Sequence, residues 1–345
     1  MTSLPQIADE MLYMMVFSII AFLLAMMLTP IYTYFAYKYK FWKKQRSTTT
    51  TGEKLEVFNK LHAHKFNGGR KFPTMAGIIG VITIAVITFA FNLDRSQTWL
   101  PLAALIGGGI VGLLDDIINI FGHGKGVAGL RSGAKFTMIA ILGLAIGWWC
   151  YERLGIDYIF IPYFGEFFIG WLTIPFFAFA IVATGNAVNI TDGLDGLAGG
   201  LLILAYGSFA SIALLQGNLG MAEFAFTVVG ALLAYVWFNI YPARFMMGDV
   251  GSFAFGTTLA VLAILTNSIL LIPIIGFLFV VEAGSSAIQI LSKKILKRKI
   301  FVSAPIHHHL EARGWEETKI TMRFWIIGAM TAFFGLVVAL TGGII

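Results

Sequence analysis

Charge is missing from this chain in long, regular stretches. Residues 11–37, 73–93, 96–114, 136–151, 167–191, 196–222, 224–243, 250–266 and 324–345 contain no Asp, Glu, Lys or Arg, and 270–292 contains only Glu282. A helix needs about 20 apolar residues to cross the hydrocarbon of a bilayer, and a soluble domain cannot leave so many windows of that length uncharged. Only 12% of the 345 residues are charged, against about 25% in soluble domains, and the mean hydropathy is +0.83. The spacing predicts an all-α, polytopic membrane protein, a single transmembrane domain over 1–345 with ten transmembrane helices in those windows. The first window is too long for the core of a cleaved signal and has no small-residue cleavage pattern, so it counts as a span. The divide between 250–266 and 270–292 falls near Asn267 and Pro273.

Ten spans put both termini on one side, and the basic residues say which. Of 24 Lys and Arg, 22 lie in 38–72, 115–135, 241–252 and 293–323; only Arg95 and Arg153 lie in the opposite loops. Basic loops stay in the cytoplasm, so both termini face outward. The net charge of +6 is then topological anchoring and needs no nucleic acid. Trp99, Trp148, Trp149 and Trp171 fall near outer span ends, as an interfacial aromatic belt does. Cys150 is the only cysteine and can form no internal bridge.

The topology rule accounts for the bases but not for the acids. Asp115, Asp116, Asp192, Asp195 and Asp249 all fall at cytoplasmic span ends, in three different loops. Carboxylates so near hydrocarbon are costly unless paired or metal-bound. Asp115-Asp116 closes a span, where neighbouring acids repel and the helix dipole disfavours them; the bland alternative is two solvated loop acids. In Asn186-Ala-Val-Asn189-Ile-Thr-Asp192-Gly-Leu-Asp195-Gly the polar residues recur every third position. A helix cap at Asp192 or Asp195 would not call for two amides as well. Asp249, in Met247-Gly-Asp-Val-Gly-Ser252, reads equally as a cap and as a ligand, with Asn239 at the end of the preceding span. His307-His308-His309 cannot share one helix face, which argues against a tridentate zinc site and leaves phosphate contacts or a surface loop. Glu282 is an intramembrane acid with Gln289 on the same helix face, and serves either a site or a neighbouring helix. The Gly107-Gly108-Gly109 run with Gly112 reads as close helix packing.

Five aspartates around one cavity would repel an anionic substrate unless a divalent cation intervened. Mg²⁺ binds through one or two carboxylates plus substrate phosphates and stabilises charge on a transferring phosphoryl group. At membrane level, one substrate is expected to be a lipid phosphate. The residue types point to a metal-assisted phosphoryl transferase. An ion-coupled transporter would place its acids near the bilayer midplane, where only Glu282 lies. A membrane scaffold would tolerate neutralisation of all five aspartates.

Several segments, in order, resemble those of the polyprenyl-phosphate N-acetylhexosamine-1-phosphate transferase superfamily. They are Pro73-Thr74-Met75, Gly-Leu-Leu-Asp115-Asp116, Asn186 through Ala198, Met247 through Ser252, and Pro305 through Ile327. The last, with its HHH-x-E-x-x-G-W pattern and Arg323-Phe-Trp, is most similar to the branch acting on phospho-N-acetylmuramoyl-pentapeptide; the N-acetylglucosamine-1-phosphate branch is the alternative. Two positions depart from the family pattern: Lys71-Phe72 replaces Gly-Thr before Pro73, and Met246 stands where an aromatic is usual, with Phe245 one place off.

The resemblance implies transfer of the sugar phosphate from UDP-N-acetylmuramoyl-pentapeptide to undecaprenyl phosphate, with release of UMP, in the bacterial cytoplasmic (inner) membrane. Implied catalytic residues are Asp115, Asp116, Asp249 and His307. Implied substrate contacts are Lys71, Thr74, Asn186, Asn189, Asp192, Asp195, Asn239, Gln289 and His308. The Mg²⁺ ligands would be Asp249 and Asp192. Asp195 and Asn239 would lie near the uridine and Gln289 on the substrate side. Both direct displacement and an aspartyl-phosphate on Asp115 or Asp116 are compatible with these residues. A homodimer is expected from the resemblance alone.

Overall fold

The computed structural model describes residues 4–42, 72–94, 97–122, 129–130 and 132–345. Lys71, an expected substrate contact, lies outside them. The described chain is helical: α1 (Leu4–Lys38), α2 (Gly77–Phe91), α3 (Trp99–Phe121), α4 (Ser132–Leu154), α5 (Thr173–Thr191), α6 (Leu197–Leu215), α7 (Leu219–Asn239), α8 (Gly248–Leu265), α9 (Ile272–Ile275), α10 (Phe277–Ile295), α11 (Ile306–Ala312) and α12 (Glu317–Thr341). Each predicted window contains helix. Among the described residues eight helices are long and apolar enough to cross a membrane, or nine if the pair broken before Phe277 and bent by 82° is one span. The ninth or tenth candidate, α2, has 15 residues and rises about 22 Å, less than the roughly 30 Å of hydrocarbon.

Two boundaries differ from the expectation in ways that matter. α3 does not stop before its acids but continues to Phe121, so Asp115 and Asp116 sit within the helix rather than beyond its end. The chain between α8 and α10 is not one straight span after Pro273. A 3-10 turn at Ile269–Leu271 and the break at Gly276 turn it sharply. The loop after α4 also carries an unforeseen hairpin, β1 (Tyr158–Ile161) antiparallel to β2 (Gly165–Phe168), with Tyr158 opposite Phe168 and Ile161 opposite Gly165.

α8 is the axis of the bundle, buried from Gly248 to Ile264, whereas α1 and α12 expose Met27, Leu23, Met330 and Phe333, as lipid-facing helices do. Helices in lipid gain nothing from simply hiding apolar surface from one another, so close backbone approach through small residues carries the packing. A Cβ on Gly108 would strike the Thr257 hydroxyl, one on Gly112 the Asp249 carbonyl, and one on Gly77 the backbone of Gly251. Gly108, Gly109 and Gly112 of α3 therefore pack against α8, while Gly107 faces Leu142 of α4. Up-and-down order then brings the C-terminal parts of α1, α3, α5 and α7 and the N-terminal parts of α2, α4, α6, α8 and α12 to one end of the bundle.

Candidate active site

At that end, α3 and α8 place three acids together. Asp115, Asp116 and Asp249 are all buried, and each offers a carboxylate oxygen within 4.8 Å of the others. Lys135, at the start of α4, joins two of them: its ammonium lies 3.0 Å from Asp115 Oδ2 and 2.5 Å from Asp249 Oδ2. The other oxygen of Asp115 accepts the Leu130 N–H at 2.7 Å. Asp116 Oδ2 accepts the Val250 N–H at 3.0 Å, which ties it to the first turn of α8. Asp249 sits in that turn rather than at the cap position, held by Met247, so the capping explanation of this acid fails.

The turn before α8 is fixed from the other side by the Pro73-Thr74-Met75 segment. Met246 N–H donates to the Pro73 carbonyl (2.9 Å), Ala76 N–H to Met246 (3.1 Å) and Gly77 N–H to Met247 (2.9 Å). Gly248 has φ +77, a conformation that suits glycine, and a Cβ there would lie 2.6 Å from Asp116 Oδ2 and 2.7 Å from Met75 N. Thr74 donates its N–H to Phe41 (2.8 Å) and accepts the Tyr32 hydroxyl at its carbonyl. The Thr74 hydroxyl is buried with no hydrogen-bond partner among the described residues, a donor available to a ligand.

The 186–196 motif closes the next side. The Asn189 amide donates to Ser252 Oγ at 2.8 Å, which places the end of α5 beside the first turn of α8. Asn186 donates to Val182 O in its own helix (2.8 Å). Asp192, half-buried at the end of α5, is not among the three clustered carboxylates, although it was expected as a second metal ligand. Asp195 and Asn239 hold backbone. Asp195 Oδ2 accepts the Ala243 N–H (2.9 Å), Asn239 Oδ1 accepts the Gly196 N–H (3.0 Å), and the Asn239 amide donates to the Phe245 carbonyl (2.9 Å). Neither caps α6, whose cap residue is Gly196. Phe245 is 2% exposed and packs on Tyr32, Tyr235 and Phe238; its ring is core.

The three histidines of α11 have three different partners. His307 Nδ1 lies 2.8 Å from Glu282 Oε2, and His308 Nδ1 lies 2.6 Å from Glu311 Oε2. His309 Nδ1 accepts the Val302 N–H at 3.1 Å, and burial together with the Arg313 charge holds His309 below its ordinary 6.5. A Cβ on Gly193 would collide with His307 Nε2, so this ring abuts the 186–196 motif. Gln289, expected toward the substrate, binds backbone: its amide oxygen accepts the Ile300 and Phe301 N–H groups and its NH2 donates to the Phe301 carbonyl.

Hard oxygen donors this close together fit a small divalent cation, and the Lys135 ammonium shows that the pocket already favours positive charge. In the sequence Lys135 is indistinguishable from the other topological bases; its one visible signal is its place directly before the 136–151 window.

Comparison with known proteins gives the family. The Glycosyl transferase family 4 model matches residues 98–267, which span α3 to α8. A phospho-N-acetylmuramoyl-pentapeptide-transferase of Chloroflexus aurantiacus is 41% identical over 285 residues, covering 79% of this chain and 78% of that protein. One from Chloroflexus aggregans is 36% identical over 337 residues (94% and 88%). One from Clostridium novyi is 35% identical over 327 residues (93% and 96%).

Proposed function

The chain belongs to the phospho-N-acetylmuramoyl-pentapeptide-transferase family, and on that premise we propose how its site works. The protein transfers phospho-N-acetylmuramoyl-pentapeptide from its UDP derivative to undecaprenyl phosphate, releasing UMP. This is the step that makes the first lipid intermediate of peptidoglycan. The observation that carries this reading is the buried Asp115–Asp116–Asp249 group bridged by Lys135, at the end of an apolar bundle where the chain is richest in Lys and Arg. By charge asymmetry that end is the cytoplasmic face, with ten spans and outward termini.

Asp249, with Asp115 and Asp116 beside it, would hold a Mg²⁺ that offsets charge on the diphosphate and the departing UMP. Lys135 supplies a second, covalently fixed positive charge to the same phosphates. Thr74, Asn186, Asn189, Asp192, His307 and His308 line the substrate side. Asp195, Asn239 and Gln289 shape it from behind by fixing the 241–246 and 300–301 backbone.

The attacking group is a phosphate oxygen of the lipid, which forms a bond to the β-phosphorus of the nucleotide sugar. The bond from that phosphorus to the bridging oxygen breaks, and UMP leaves with the electron pair. A phosphate monoester has a second pKa of about 6, so it attacks largely as the dianion and needs little help from a base. Direct displacement is favoured over an aspartyl-phosphate on Asp115. Both Asp115 oxygens already accept hydrogen bonds, from Leu130 and Lys135, and a carboxylate so engaged is a poor nucleophile.

The test is to supply purified protein and undecaprenyl phosphate with UDP-N-acetylmuramoyl-pentapeptide or with UDP-N-acetylglucosamine and to measure UMP. Release with the first donor only is expected. Release with the second only would move the protein to the N-acetylglucosamine branch. Release with neither would defeat the transferase reading.

A further inference from the structure

The proposed chemistry leaves one fully buried acid without a task. Glu282 lies within α10 and is 0% exposed. It heads a ladder with Ser285, Gln289 and Ser292, all buried. Spacings of three, four and three put the four residues on one helix face. Each holds the chain that follows α10. Ser292 donates to the Arg298 carbonyl at 2.7 Å. Gln289 brackets Ile300 and Phe301 through three hydrogen bonds. Ser285 Oγ accepts the Ile306 N–H at 2.9 Å. The first three rungs bind backbone and would hold any sequence there.

The fourth rung is different, because Glu282 meets a side chain, the ring of His307. A carboxylate oxygen 2.8 Å from Nδ1 selects the ring form with its proton on Nδ1. The other nitrogen, Nε2, then faces Gly193. Nε2 and Glu282 Oε1 are both buried and without a hydrogen-bond partner among the described residues. Buried polar atoms are nearly always paired, so an unpaired ring nitrogen aimed at the motif next to Asp192 marks a place where a ligand completes the bonding. Gly193 is required there sterically: any side chain would take the space that Nε2 occupies.

We infer that Glu282 is a positioning residue for the transfer reaction. It fixes His307 with the proton on Nδ1 and so presents Nε2 to the substrate at the Gly193 turn. The inference rests on the assignment of His307 to the substrate side in the reading above. The logic matches that of other carboxylate–histidine pairs, in which the acid touches no substrate but sets the tautomer of a ring that does.

The test uses the full-length protein in lipid nanodiscs, labelled with 15N-histidine, with the His307 signals assigned by their loss in His307→Gln. The substrate-free wild type is expected to show a proton-bearing Nδ1 at His307. In Glu282→Ala that preference is lost, and kcat for UMP release falls about 10- to 100-fold, the range typical of a lost orienting partner, while KM for the nucleotide sugar changes less than about two-fold. Glu282→Gln offers an amide oxygen to the same N–H and should restore both the tautomer and most of kcat. Ser285→Ala removes hydrogen bonds to the Glu282 carbonyl and the Ile306 N–H but keeps the carboxylate and the ring that form the pair; it should lower the melting temperature and leave kcat within about two-fold. If Glu282 merely bolts the loop down, Glu282→Ala and Ser285→Ala will lose rate and stability in parallel with the His307 signature unchanged, and the inference is wrong. A wild-type ring without a proton on Nδ1 overturns it with no variant needed. A wild type that releases no UMP removes the transfer reading and this inference together, whereas an active wild type and an equally active Glu282→Ala remove the inference alone.

Discussion

Lys135→Met separates the charge argument from the packing argument most cleanly. Methionine keeps the length of the side chain and its helix propensity and removes only the ammonium. In the native protein that ammonium contacts Asp115 and Asp249 while 16% exposed, the carboxylates being 2% and 9% exposed. Without it, carboxylates no more than 4.8 Å apart repel by about 3.5 kcal/mol per ionised pair at an effective dielectric of about 20. Breaking a buried ion pair from one side costs about 3–5 kcal/mol in general, so the two estimates agree. The variant should therefore melt well below the wild type in chelator. Added Mg²⁺ stabilises in proportion to the logarithm of its concentration over Kd. The variant pocket carries one positive charge fewer, so Mg²⁺ should raise its melting temperature more than that of the wild type. Turnover should still stay at least about tenfold low at saturating Mg²⁺, because a preorganised cation facing the phosphates has been lost. Melting by intrinsic fluorescence across a Mg²⁺ titration, beside UMP release, reads both effects. Equal melting temperatures in chelator with superimposable Mg²⁺ responses would show that the three acids do not form an electrostatic unit.

Three further outcomes follow from the same geometry. Asp249→Asn should lower kcat by about 100-fold or more while the protein folds; full UMP release would take Asp249 out of the site. Gly112→Ala pushes a methyl group into the Asp249 carbonyl and should cost about 1–3 kcal/mol of stability along with activity; Gly284→Ala, mid-helix where a Cβ meets nothing within 4 Å, is the control and should melt no lower than the wild type. His309 is held below 6.5 by burial and Arg313, so the unfolded chain takes up its proton first as the pH falls. Stability from this group is full above 6.5 and is lost as pH drops through 6.5 toward the folded value. His309→Gln should flatten that part of the melting-temperature profile, and an unchanged slope would assign it to another group.

What could be read from the sequence was local. Charge-free windows located the helices because burial in lipid forbids charge at every position of a span, and that rule needs no tertiary information. The unusual acids could also be seen, since nothing in topology explains Asp115, Asp192 or Asp249. The backbone partners of individual polar residues were not legible. Asp195, Asn239 and Gln289 stand out as polar residues in the sequence, and in the fold they hold backbone groups at Ala243, Gly196, Phe245, Ile300 and Phe301. Which demand a polar side chain meets depends on which backbone its neighbours leave unsatisfied, and that is settled only when distant segments meet. Lys135 shows the converse: a base that obeys the positive-inside rule carries no mark of also bridging two acids, one of them 114 positions away along the chain.

The packing and the chemistry share the same atoms, which explains why such an expensive group of buried acids can be held at all. Glycines of α3 meet α8 at two places one turn apart. The one nearer the site, Gly112, touches the carbonyl of Asp249 itself. Asp115 and Asp116 follow within four residues on α3, and Asp116 closes back on Val250 N–H. A slip of α3 along α8 by a single residue would move the acids by about 1.5 Å and break the glycine contact and the Asp116 hydrogen bond together. The backbone contact thus acts as a gauge for the carboxylates. Small residues here let the helices approach and also set how far apart the three carboxylates sit.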